Sequence, residues 1–327
     1  MGVVAGITTL SCARDEDDVD RVGGRRSDGS DAGPPARGDE ELLQEARDDL
    51  VAVERLVVAT RRRHPSLRRR LAPLLRTHRD QLAVLDPDGS AAPPARPTGP
   101  SGRVAGDPAD ALARLLREQQ RLQRRLITWA VAADSGPLAR LLAAIAAGAA
   151  QQGAALAPGQ AGDAGPSART VAVAGAGGPG AVDALQRVLA SEHAAVWVLG
   201  SLGAATSMSA TPDLFDRLSR AHEAHRARRD RLTALLLERG VPPVRSEVAY
   251  AVPEDLGQPA RVGEAAVRAE RSSSTAWSFL VASSTGATRR WAAQELTRTA
   301  LTAVGLGGTP EPLPGAADLL ATGPSSP

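Results

Sequence analysis

Apolar residues recur at intervals of three and four along most of the chain, the spacing that places them on one face of an α-helix, while strand-like alternation is nearly absent. Between Glu40 and Arg63 the stripe is Leu42, Leu43, Ala46, Leu50, Val53, Leu56 and Val57. His64-Pro65 breaks it, with proline suited to the first turn of a new helix. Leu67, Leu71, Leu74, Leu75 and Leu82 then predict a second helix ending near Leu85. Asp107-Pro108 is a helix start, followed by Leu112, Leu115, Leu116, Leu122, Leu126 and Trp129. Beyond Ser135-Gly136-Pro137, a fourth helix from Leu138 to Ala157 is almost wholly Ala and Leu, as expected of a helix enclosed by neighbours. The same rhythm returns after Gly180 and predicts helices over 181–209, 213–239, 260–284 and 288–304, divided at Gly240-Val241-Pro242-Pro243 and Ser283-Ser284-Thr285-Gly286.

This pattern predicts an all-α protein with two regions of paired helical hairpins. Residues 1–38 read as a leader and a charged, Gly-rich tether that lacks the large apolar side chains needed to order it. Residues 39–157 are expected to form an N-terminal helical bundle with a Pro/Gly-rich linker at 86–106 inside it. An Ala/Gly/Pro linker at 158–180 leads to a four-helix antiparallel bundle over 181–306, and residues 307–327 read as a loose tail.

The halves also match each other. Glu45, Pro65, Leu67, Leu71 and His78 correspond to Glu192, Pro212, Leu214, Leu218 and His225 at a constant separation of 147 (192 − 45, 225 − 78). Trp129 and Gly136 correspond to Phe279 and Gly286 at 150 (279 − 129, 286 − 136). A constant separation of this kind is what an internal duplication leaves behind.

Composition narrows the functional classes. Hydrophobic residues make up 43% and aromatic residues only 2%, so the cores must be built from Leu, Ala and Val. All 39 basic residues are Arg, and 37 acidic residues leave a net charge of only +2. A nucleic-acid partner is not expected, because neither a basic excess nor interleaved aromatics is present. Arg61-Arg62-Arg63 and Arg68-Arg69-Arg70 fall at helix ends or on polar faces. Gly175-Ala176-Gly177-Gly178 lies in a linker with no strand before it, so it is no phosphate-cradling loop. No Ser-His-Asp or Cys-His arrangement has supporting context, and a lone cysteine excludes internal disulfides.

Four helices of the second half each carry an ionisable residue on an apolar stripe. Glu192 lies between Val188-Leu189 and Val196, His222 and His225 between Leu218 and Leu232, Glu270 between Ala266 and Trp277, and Glu295 follows Trp291. Buried carboxylates are costly unless paired, hydrogen-bonded or bound to a cation. A metal site of Glu192, His222, His225, Glu270 and Glu295, holding iron or manganese, is therefore one expectation. The helix pattern of a di-metal bundle would put His three residues after Glu, yet Glu223 is followed by Arg226 and Glu295 by Arg298. A guanidinium cannot ligate a metal but pairs well with a carboxylate, so Arg298 is expected as an internal counter-ion for Glu295 or Glu270. The preferred expectation is thus a polar network of Glu192, His225, Glu270, Glu295 and Arg298 without cofactor.

Two resemblances extend this reading. The stretch from Ala184 to Val196 with Glu192-His193-Ala194-Ala195, then Ala224-His225-Arg226-Ala227-Arg228-Arg229-Asp230, Pro242-Pro243 and Ala249-Tyr250-Ala251-Val252-Pro253, resembles the ferritin-like domain of unknown function found in actinobacterial proteins. The resemblance covers about residues 181–306 and implies a four-helix ferritin-like fold, often in exported proteins, with no established activity. The apolar run from Val3 to Ser11 ending at Cys12, with a charged tether after it, resembles the end of a bacterial lipoprotein signal. It departs from that pattern at Thr9, three residues before the cysteine, and in lacking a basic segment ahead of the run. It implies lipidation at Cys12 and an extracytoplasmic, membrane-anchored protein; a cytoplasmic one is expected instead if Met1 is the true start and no signal is present.

The function expected from these observations is a non-catalytic, interaction or structural role with a protein partner. The alternative is a metal-binding protein or oxidoreductase with a degenerate carboxylate and histidine site for iron, manganese or zinc. A homo-oligomer formed through the Ala-rich helix from Leu138 to Ala157 is a further expectation, and contact with a membrane is expected only through Cys12.

Overall fold

The computed structural model describes residues 38–87, 89, 104–157 and 180–320. Among them the chain is all-helical, with no strand. The helices are α1 (Asp39–Arg63), α2 (Ala72–Leu85), α3 (Pro108–Ala132), α4 (Gly136–Leu156), α5 (Ala181–Ala204), α6 (Pro212–Glu238), α7 (Pro259–Ser283) and α8 (Gly286–Gly305). No described helix is long and apolar enough to cross a membrane. Cys12 lies outside the described residues.

Local chemistry accounts for the helix ends. The first turn of α1 carries Asp39, Glu40 and Glu41 and its last turn Arg61, Arg62 and Arg63, each set matching the sign that the helix dipole favours. Asp107 caps α3 by accepting from the backbone N–H of Ala109 and Asp110, and the Ser135 hydroxyl caps α4 at Leu138. Asp39 also accepts from Asp134 N–H and Ser135 N–H at 2.8 Å, tying the start of α1 to the α3–α4 turn. The second stripe does not begin a continuous helix at Leu67. A 3-10 turn, Pro65–Leu67, precedes a break, and α2 starts at Ala72 because Pro73 has no N–H to extend an earlier helix through it.

The principal packing repeats between the halves. α1 lies against α2 and α3, and α3 against α4; in the same way α5 lies against α6 and α7, and α7 against α8. The corresponding aromatic residues keep a further likeness, with the Arg125 guanidinium 4.6 Å above Trp129 and that of Arg140 4.6 Å from Phe279.

The division expected at 158–180 is not a division of the fold. One hydrophobic core runs from Leu42 in α1 to Leu313 beyond α8, and α4 packs against both α7 and α8. The physical reason is α4 itself: its Ala-rich surface is buried nearly all round, so neighbouring backbones approach closely on several sides. At Gly136 any Cβ would collide with the Ala282 carbonyl, which fixes a glycine where α4 meets the end of α7.

Residues 307–320, expected to be loose, form an ordered strap across both halves. Leu313 and Ala316 are buried, and side chains satisfy the extended backbone. Gln81 donates to Pro312 O at 2.8 Å, Gln151 accepts from Glu311 N–H at 2.8 Å, and Arg140 donates to Gly315 O at 3.2 Å and pairs with Asp318 at 2.6 Å. Gly148 of α4 leaves room for the Pro312 carbonyl, and Gly315, at φ +72°, lies against the Ser274 carbonyl. The Pro/Gly content that reads as looseness in the sequence serves here to seat a chain too close for side chains.

The connection from α6 to α7 positions the site. Gln186 of α5 donates to Pro242 O and accepts from Val244 N–H, both at 2.8 Å, and Tyr250 packs near Trp197 with ring centroids 6.4 Å apart. The segment therefore runs along α5 in the direction α5 itself takes, and returns the chain to the end where α6 began. Consequently α6 and α7 start at the same end, and their inward faces meet those of α5 and α8.

Candidate functional site

The apolar stripes of α5 to α8 bring their ionisable residues to one buried level. Glu192, His225 and Glu270 are all 0% exposed, and Arg228 and Glu295 are nearly as well covered. His225 stands between two carboxylates, with Nδ1 2.6 Å from Glu192 Oε2 and Nε2 3.1 Å from Glu270 Oε1. A neutral imidazole carries a single N–H and could donate to only one of them; the imidazolium donates to both. Burial alone would lower the His225 pKa, but the Glu192 and Glu270 carboxylates outweigh it and hold it up at about 9.

Each carboxylate has further partners. Glu192 Oε1 accepts from Ser273 Oγ and from Trp277 Nε1, both at 2.8 Å. Burial would raise the Glu192 pKa, yet His225 and Arg228 together lower it. One turn along α6 from His225, Arg228 donates through Nε to Glu295 Oε2 at 2.8 Å, while Glu295 Oε1 accepts from Trp291 Nε1 at 3.1 Å and Arg298 at 2.5 Å. Burial works against the Arg228 charge, but the fields of Glu192, Glu295 and Glu270 raise its pKa further. Trp277 and Trp291 meet edge to face, 4.9 Å between centroids, and close the apolar side of the cluster. Three carboxyl groups thus face three cationic side chains.

The expected site residues separate on this basis. Glu192, His225 and Glu270 form one hydrogen-bonded line, and Glu295 joins them through Arg228. His222 does not join. It lies on a half-exposed face of α6 beside Gly200 of α5, where burial and the neighbouring Arg226 lower its pKa. Arg298 pairs with Glu295, as the spacing of three on α8 requires. Arg228, the residue that unites the cluster, was not singled out from the sequence. Its signal was its place three residues after His225 on the same stripe, where an arginine would otherwise be expected to reach solvent.

The donor set does not fit a di-metal centre. Both imidazole nitrogens are engaged by carboxylates, and two guanidiniums cover Glu295. A divalent ion would have to displace a proton held up to about pH 9 and sit beside Arg228. Among the described residues no group of three or more His, Cys, Asp and Glu has the arrangement to hold a metal. Glu192 and Glu270 are also fully buried, and a cavity of about 420 Å³ between α5 and α7 is lined by their neighbours Ser191 and Ala269 but by neither carboxylate.

The corresponding level of the first half carries different chemistry. His78 is fully buried, with Nδ1 3.1 Å from Gln81 Oε1, and burial lowers its pKa to about 4, which makes it neutral. Glutamines take the place of acids there: Gln119, Gln151 and Gln152 are buried, and Gln152 donates to Thr77 Oγ1 at 2.7 Å. Glu45, the counterpart of Glu192, is only half-buried.

The cluster, the return segment and the strap are all encoded between α5 and the last described residues. Residues 184–318 match the family model described as Domain of unknown function (DUF4439). The DUF4439 match begins three residues into α5 and ends at Asp318, so it contains the whole cluster and reaches the residue that pairs with Arg140. The strap accordingly falls within the DUF4439 match as far as Asp318, while α1 to α4 lie outside it. No curated protein and no solved structure matches the chain.

Proposed function

We propose that residues 181–306 are a ferritin-like four-helix bundle in which a self-neutralised ion cluster stands where bundles of that kind hold metal. The protein then acts by binding and scaffolding a protein partner, without catalysis, outside the cytoplasm and tethered through Cys12. The return segment that starts α6 and α7 at one end supports the ferritin-like reading, since a single long crossover is the connection that fold uses. The observation that carries the non-catalytic reading is His225 engaged at both ring nitrogens. An acid–base or redox centre needs a group free to exchange with substrate, and His225 is enclosed with both of its ring nitrogens engaged.

A second reading, a site for iron, manganese or zinc, has one observation in its favour: Glu270 Oε2 is buried with no hydrogen-bond partner among the described residues. Elemental analysis separates the two. Protein purified from cultures supplied with all three metals is expected to carry far less than one ion per chain, with no change in Glu192→Ala or His225→Ala. A stoichiometric ion that disappears in both variants would replace the first reading by the second.

A further inference from the structure

A second feature lies at the opposite extreme of exposure, at the end of the α5–α8 quartet where α6 and α7 begin and α8 finishes. There a cleft of about 1010 Å³ is walled by Leu214, Val267 and Leu306 and by the guanidinium-bearing Arg217, Arg268 and Arg271. Its size lies at the upper limit of small-molecule sites, with apolar walls and a few polar groups.

Two long helices aim their positive ends into it. The N-cap residues Thr211 and Gln258 make no side-chain capping bond, and Pro212 and Pro259 have no N–H. The first-turn amides of Asp213, Leu214 and Ala260, all on the cleft wall, therefore lack an intrahelical acceptor. α7 has no acidic residue in its first turn to offset its dipole. Independently of the helix ends, Arg217 Nε is buried without a hydrogen-bond partner among the described residues. A cationic donor left so is costly unless an acceptor arrives. Arg271 is already fixed, 3.3 Å from Glu311 and donating to Thr309 O, so it is held in place at the cleft. Two acids also line the cleft; Glu264 pairs with Arg261 at 3.1 Å and Arg271 with Glu311, which leaves Asp213 against the guanidiniums of Arg217 and Arg268.

We infer that this cleft binds a small phosphate monoester, its phosphate on Arg217, Arg268 and the amides at the starts of α6 and α7, its apolar group on Leu214, Val267 and Leu306. Phosphate is favoured over carboxylate by the donor count: the guanidiniums of Arg217 and Arg268, together with the amides at the two helix starts, exceed what two carboxylate oxygens accept, whereas a tetrahedral head offers three terminal oxygens.

The test is calorimetric titration of the full chain in low salt with hexyl phosphate, inorganic phosphate and hexanol, and sedimentation with phosphatidylcholine vesicles containing phosphatidic acid. Saturable binding of hexyl phosphate at one per chain is expected, with weaker binding of inorganic phosphate and none of hexanol. Arg217→Gln and Arg268→Gln should each weaken it about tenfold or more. Arg268 is exposed, so its variant keeps the test valid if Arg217→Gln disturbs folding. The inference is overturned if hexyl phosphate does not saturate, if hexanol binds as tightly, if Arg268→Gln binds unchanged, or if only the vesicles bind. Because the cleft and the buried cluster share no residue, these results leave the reading of His225 untouched.

Discussion

Replacing Arg228 by methionine is expected to lower the unfolding free energy by on the order of 3–5 kcal/mol, the largest effect of any single arginine substitution in the second half of the chain. The shape of the side chain is roughly kept, but Glu295 loses its buried partner and Glu192 and Glu270 lose a nearby positive charge. Urea denaturation measures the effect. Adding Glu295→Gln should restore part of the loss, since it removes the charge left stranded, and the resulting coupling in a double-mutant cycle is expected to reach about 1 kcal/mol or more. Arg229→Met is the control. Its pair with Asp230 is formed at the surface, where such contacts contribute roughly 0–1 kcal/mol. Equal losses from Arg228→Met and Arg229→Met would show that the buried cluster has no special place in stability.

The second large effect is a dependence on alkaline pH. His225 titrates near 6.5 in the unfolded chain and at about 9 when folded, because the folded state binds its proton more tightly. Its stabilisation is therefore complete below pH 6.5 and is lost as pH rises toward 9, by on the order of 3 kcal/mol. The other shifted acids and histidines, and Arg228, act outside this window. Burial raises the Asp49 pKa to about 6 and lowers that of His78 to about 4, the Glu192 and His222 values move down, and that of Arg228 moves up. Denaturation across the window should thus fall steeply for the native sequence and stay nearly level for His225→Gln. A slope of the same size in both proteins would rule out His225 as its origin.

Helix content and the inward faces could be read from spacing alone because burial repeats with the helical period. Leu50, Leu115, Leu189 and Leu232 are all enclosed where the stripes place them. The cluster was partly readable for the same reason: a Glu or His on an apolar stripe must have a buried partner, and Glu192, His225, Glu270 and Glu295 do. What the stripes could not carry was rotation within a face. His222 and His225 are one turn apart and look equivalent in sequence, yet the close approach of α5 at Gly200 leaves the first at the rim and places the second in the centre. Arg228 was hidden because arginine on a helix is ordinarily solvated, and only three converging carboxyl groups make burial favourable.

Larger-scale errors came from composition. The stretch 158–180 reads as a boundary between domains, but the Ala-rich surface of α4 before it is covered by α7 and α8. Residues 307–320 look loose because Pro and Gly predict no regular element. Side-chain groups on other elements, Gln81, Arg140 and Gln151, provide the hydrogen bonds that a helix or sheet would otherwise supply, and such long-range partners leave no local signal.

The non-catalytic role proposed for the α5–α8 quartet rests on an imidazolium held between two carboxylates deep inside it. Nuclear magnetic resonance of isotope-labelled protein reports the state of each histidine ring nitrogen directly. For His225 at about pH 8 the expected spectrum shows both nitrogens protonated and slow to exchange, with titration only near 9. A single ring N–H at that pH, titrating at or below the ordinary histidine value, or a signal that moves on adding manganese or zinc, would contradict it.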